Sequence, residues 1–270
     1  MKKSAMVPLI ALAVFIIAAG TASASNITIW DNEGTVGIED NEVTPNCLQG
    51  QVWDLEAFWQ SGNELSMIGG YNFNAGQGGF TTGDIFIDDL SNGPAVWGSP
   101  TGAGQGSNSV KSVSNANFKY DYVIHIDSEF LTYSVYALTA NDLLLTAFYN
   151  QNDPSSPWRW AEPIGTTNPT PLANYMNRTI DVKTFTDADS RATFYGVTGW
   201  PGYGDTHYLA TGFDLSFLAP GTDFLAKYTY QCGNDNLIGQ GTTAPVPEPA
   251  TLLLLGSGLL GLAAFRRKAK

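Results

Sequence analysis

The stretch Tyr120-Asp121-Tyr122-Val123-Ile124-His125-Ile126-Asp127, continued after a short turn by Leu131-Thr132-Tyr133-Ser134-Val135-Tyr136-Ala137, decides the fold reading. Tyr120, Tyr122, Ile124 and Ile126 alternate with Asp121, Val123, His125 and Asp127, and Leu131, Tyr133, Val135 and Ala137 repeat the pattern. A period of two is that of a strand, whose successive side chains point to opposite faces. The pair predicts a hairpin with one buried face, and places His125 on the other side, toward solvent or a loop neighbour.

Outward from this hairpin, similar short runs occur at 26–30, 51–59, 64–71, 84–88, 143–149, 191–197, 207–215 and 224–230. Turn-forming clusters separate them, such as Asn74-Ala75-Gly76-Gln77-Gly78-Gly79. Residues 99–109, Gly- and Ser-rich and uncharged, and 150–170, rich in Pro, Asn and Thr, are two expected long loops. No helical period is sustained outside the two ends. The expectation is an all-β chain, an antiparallel β-sandwich of jelly-roll type, occupying residues 25–244 as one domain.

The ends carry a different signal. Residues 1–24 have a charged start (Lys2, Lys3), an apolar run over 7–19, and Ala22-Ser23-Ala24 before Ser25. This is the pattern of a secretory signal cut between Ala24 and Ser25; a first transmembrane anchor would need a longer apolar run. At the other end, residues 250–265 carry no charge and are followed at once by Arg266, Arg267, Lys268 and Lys270. A span needs roughly 17–20 apolar residues, reached here only by borrowing 245–249. The basic cluster fits a cytoplasmic end. The competing reading, a buried core helix with a solvated basic tip, leaves the missing polar face unexplained.

Pro247-Glu248-Pro249, a Leu- and Gly-rich apolar helix and a short Arg-rich end stand in that order over residues 245–270. This segment resembles the PEP-CTERM sorting domain of Gram-negative bacteria that make exopolysaccharide. The resemblance implies export, transient retention in the inner membrane, processing by an exosortase near Pro247-Glu248-Pro249, and release to the cell surface or extracellular matrix. Two further stretches, Gly69-Gly70-Tyr71-Asn72-Phe73 leading to Gly83-Asp84-Ile85-Phe86-Ile87-Asp88, and Tyr230-Gln231-Cys232-Gly233-Asn234-Asp235-Asn236, are similar to segments of other exosortase-dependent surface proteins.

The chain holds 25 Asp+Glu against 13 Lys+Arg, a formal net charge of −12, and six of the basic residues lie in the two ends. What remains between them is more acidic still, which argues against nucleic acid as a partner. The only two cysteines are Cys47 and Cys232. In an oxidising compartment they are candidates for a bridge pinning the ends of the domain together; two separate buried thiols are the alternative.

Chemistry-bearing residues are sparse. There are 2 histidines, and no nucleophile elbow, zinc-binding helix or phosphate-cradling loop. A glycosidase needs two facing carboxylates, and Glu56, Glu64, Asp88, Glu129 and Asp214 supply candidates without showing any pair that converges. Asp84, Asp88 and Asp89, with Asp187 and Asp189, are candidate oxygen ligands for Ca2+, competing with the reading as acidic turns that bind nothing. Seven tryptophans and twelve tyrosines are many for this length. Trp158 and Trp160 beside Arg159, and Trp200 and Tyr203 in an aromatic loop, are candidate sugar-stacking residues, weighed against burial in the core. These observations favour a non-enzymatic surface or matrix component contacting exopolysaccharide. A carbohydrate-active hydrolase and a calcium-dependent adhesin are the alternatives.

Overall fold

The computed structural model describes residues 24–30, 48–95, 110–148, 156–161 and 169–245. They belong to one compact unit, Ser23–Val246. Three antiparallel sheets make up the fold, so the all-β expectation holds. A five-stranded sheet runs in the order β1 (Ser25–Asn26), β3 (Leu55–Ser61), β4 (Glu64–Gly69), β13 (Thr206–Asp214), β12 (Asp181–Thr186). A seven-stranded sheet runs β11 (Arg178–Thr179), β8 (Thr132–Ala137), β7 (Tyr122–Asp127), β5 (Ile85–Asp89), β14 (Asp223–Thr229), β15 (Asn236–Thr242), β2 (Thr28–Trp30). The third sheet is β10 (Arg159–Ala161), β9 (Leu143–Leu145), β6 (Ser112–Ser114). The first strands cross from one large sheet to the other: β1 pairs with β3, and β2 with β15.

The two large sheets face each other across the main core. Leu55, Phe58, Leu65, Met67 and Phe213 from one meet Ile85, Ile87, Ile124, Ile126, Phe224 and Tyr228 from the other. Burial of a large apolar side chain is worth about 1.5–3 kcal/mol, which is why the alternating positions dictate the register. The two stretches at 69–73 and 230–236 come together here, with the Tyr71 and Tyr230 rings stacked at 4.3 Å and 7°.

The expected β7–β8 hairpin forms, with Ile124 against Val135. It differs from expectation in having both faces buried. The three-stranded sheet folds over the outer face, where Phe86, Val123, Leu144 and Trp160 form a second core. His125 is therefore buried rather than turned to solvent, its Nδ1 3.0 Å from Asp84 Oδ2. The expected loop over 150–170 contains one of the strands of that cover, β10.

One run changes class. Residues 191–197, read as a strand, lie largely in a short helix, α1 (Ser190–Tyr195). Asp189 caps its start by accepting the Arg191 N–H, and Gly196 ends it in the left-handed conformation at φ 72°. Both are helix-boundary chemistry that outweighs the apolar content of the run. Helix α1 covers the outer face of the five-stranded sheet, where Ala192 and Val197 pack with Ala57, Ile68, Phe185 and Leu209.

Candidate functional site

On that outer face the chain builds a buried polar cluster. The β3–β4 register shifts between Leu55 and Ala57, although Leu55 packs in the main core and Ala57 on the outer side. The extra residue at this bulge is Glu56; bulges re-aim side chains. Glu56 Oε1 lies 2.6 Å from His207 Nδ1, and His207 Nε2 lies 2.8 Å from Asp187 Oδ1. Gln51 Nε2 donates to Glu56 Oε1 at 2.7 Å. The turn bearing Gln51 sits directly against Gly70, where a Cβ would meet the Gln51 carbonyl oxygen at 1.6 Å.

Burial opposes a charge on His207, but the Glu56 and Asp187 carboxylates on its two sides outweigh this and raise its pKa from 6.5 to about 9. Asp187 is held below the usual carboxylate range: its partial burial is overcome by His207 and by the Gly199 N–H. The result is an imidazolium clamped between two carboxylates, with no lone pair left for a general base. Gly199 N–H donates to Asp187 Oδ1 at 2.7 Å and Trp200 N–H to Gln51 Oε1 at 2.6 Å, so the cluster fixes the loop that presents Trp200 and Tyr203.

Those two rings meet edge-on at 5.7 Å, with Tyr203 56% exposed. From His207 the rings continue: Phe185 stacks on it at 4.9 Å, and Tyr195 lies 6.1 Å from Phe185. Tyr195 and Phe194 then pack on Trp59 at 5.1 and 5.4 Å, Phe194 being 60% exposed. Two partly exposed aromatic groups thus flank one polar cluster. Trp59, Phe194, Tyr195 and Gln51 escaped the sequence reading. The signal for the first three was the helix cap at Asp189 and Gly196, which turns Phe194-Tyr195 into a helical step over Trp59.

The comparison with protein families places the PEP-CTERM protein-sorting motif at residues 245–268. The chain carries an exosortase sorting signal. The motif implies processing by an exosortase, export, and membrane-associated sorting to the cell surface. No curated protein and no solved structure matches the chain.

The sorting residues Pro247, Glu248 and Pro249 lie outside the described residues, as does Cys47. Among the described residues no helix is long and apolar enough to cross a membrane. Ala24 and Ser25, at the expected signal cut, are both exposed, and Ser25 opens β1. Cys232 is buried.

Trp158 and Trp160 are only 5% and 2% exposed. They are interior residues, which corrects their reading as a sugar-stacking pair. The Trp160 ring packs on Tyr136 at 4.6 Å, and the Trp160 backbone N–H donates to Asp84 Oδ2 at 2.8 Å. The candidate calcium ligands do not converge. Asp84 is fully buried and also accepts the Ile126 N–H; burial alone would raise its pKa, but the His125 charge and hydrogen bond lower it below the usual range. Asp88 accepts the Ala95 N–H at 2.7 Å, and burial together with nearby Asp121 pushes it up to about 6. Asp89 accepts the Ser91 N–H, Asp187 serves the histidine cluster, and Asp189 caps α1 and pairs with Arg191. Among the described residues, no group of three His, Cys, Asp or Glu side chains is arranged to hold a metal ion.

Proposed function

We propose that this exported, exosortase-sorted surface protein is a non-enzymatic component that contacts exopolysaccharide through the aromatic groups Trp59–Phe194–Tyr195 and Trp200–Tyr203. The observation that carries the reading is the exposure of Phe194 and Tyr203 within packed aromatic groups, on a helix and loop held by hydrogen bonds to Asp189, Asp187 and Gln51. Rigid, partly exposed rings present an apolar face at low entropic cost, which suits stacking on pyranose rings. The clamped state of His207 supports a binding role over proton transfer at this cluster. Affinity electrophoresis of the secreted protein in the producer's own exopolysaccharide tests it. Retardation that weakens on replacing Trp59 or Tyr203 is the expected result; unretarded migration in every polysaccharide tried would overturn the reading.

A second reading, a carbohydrate hydrolase, is favoured by one observation. Glu64 and Asp214 are direct cross-strand partners and line the same surface groove as Asn63, Arg178 and Thr179. Arg178 donates to Asp214 Oδ2 at 3.2 Å, which occupies one of the two carboxylates. This reading requires release of reducing ends from the polysaccharide that disappears in Glu64→Gln.

A further inference from the structure

Ala226 and Tyr228 point into the main core, so Lys227 between them lies on the opposite face of the seven-stranded sheet. On the paired strands Lys227 sits opposite Ile238, and Thr229 opposite Asn236. Directly opposed residues share a face, which makes Lys227 and Asn236 diagonal neighbours, ~7–8 Å apart and within reach of a long side chain. Both are interior: Lys227 is 1% exposed and Asn236 0%.

Each is also in an unfavourable state. Lys227 donates to the Pro157 carbonyl oxygen, and among the described residues no carboxylate forms an ion pair with it. Burial drives its pKa well below 10.5, toward the neutral, nucleophilic amine. Among the described residues, neither Nδ2 nor Oδ1 of Asn236 has a hydrogen-bond partner. A buried polar group left unsatisfied costs ~1–3 kcal/mol, and such a group in a native sheet calls for an explanation.

We propose that Lys227 and Asn236 become joined by an intramolecular amide between Nζ and Cγ. The Nζ lone pair forms the new bond to Cγ, and the Cγ–Nδ2 bond breaks. A proton lost from Nζ leaves with Nδ2 as ammonia. The reaction consumes one amine and one carboxamide and needs no oxidant, reductant or cofactor. The product replaces a buried amine and an unpartnered carboxamide with one secondary amide. It also ties β15, the strand nearest the sorting tail, covalently to β14.

The test is mass spectrometry of the folded protein isolated from producing cells. Cleavage after Tyr228 and Tyr230 separates the segment holding Lys227 from the one holding Asn236. The expected result is a protein lighter than its processed sequence by one ammonia, with these two peptides still joined. Lys227→Met should restore the ammonia and release the peptides; if that variant does not fold, the wild-type protein alone decides. Full mass with separate peptides would overturn the proposal. So would loss of ammonia with separate peptides, the signature of a cyclic imide at Asn236.

Discussion

His207 Nδ1 lies 2.6 Å from Glu56 Oε1, and both side chains are fully buried. The pair exists because a one-residue bulge in β3 turns Glu56 to the face occupied by His207. Its pH dependence has a definite sign. The folded pKa of about 9 stands above the unfolded 6.5, so the stabilisation is fully present below pH 6.5 and is lost as pH rises through about 9. The difference corresponds to on the order of 3 kcal/mol. Thermal melting followed across that window should show a falling Tm in the wild type and a flatter profile in His207→Gln. Equal slopes for the two proteins would show that the pair is not charged.

Half-buried Trp59 and buried Trp160 should separate in one experiment. Trp59→Ala is expected to weaken polysaccharide retardation about tenfold, equivalent to about 1.4 kcal/mol, with a modest change in stability. Trp160→Ala should instead cost ~3–5 kcal/mol of stability, as a large side chain removed from a core. Denaturant titration beside affinity electrophoresis distinguishes them, and the reverse pattern would return the binding role to the Trp158–Trp160 segment.

The acidic residues first read as calcium ligands make a further prediction. Asp84 accepts from His125 and from the N–H groups of Ile126 and Trp160. Removing one partner of a buried ion pair costs ~3–5 kcal/mol, so Asp84→Asn should lower Tm sharply. Chelator added to the wild type should leave Tm unmoved. A chelator-induced drop would restore the calcium reading.

The cysteine pairing can be tested through its neighbours. Leu48 N–H donates to Asn234 Oδ1 and Asn234 Nδ2 donates to the Leu48 carbonyl, each at 2.9 Å, two residues beyond buried Cys232. This reciprocal pair brings the residue after Cys47 to the Cys232 segment. Thiol titration of unfolded, unreduced protein should find no free thiol, and reduction should destabilise it by up to ~5 kcal/mol in the chain-entropy model. Two titratable thiols would refute the bridge.

The sequence made the sandwich legible where alternation was strong, as in β7 and β8, and where β-branched runs met polar turns, as in β5. It could not show that a third sheet would cover Val123 and His125, because a strand buried on both faces looks the same whichever layer covers it. The histidine cluster was hidden for a related reason. Glu56, Asp187 and His207 are far apart in the chain, and the bulge that unites the first with the last leaves no compositional trace. The carboxylates and the Trp200–Tyr203 loop stood out individually. Their convergence through Gln51 depended on the backbone contact at Gly70.

The position of β15 has a consequence for the order of events during export. This strand lies inside the seven-stranded sheet, between β14 and β2, and ends at Thr242, shortly before the sorting motif begins at 245. A chain threaded N-terminus first delivers β2 early and must leave its edge unfilled until nearly everything else has crossed. In a chain exported N-terminus first, β15 is thus the last strand of the sheet to become available, immediately ahead of the sorting motif.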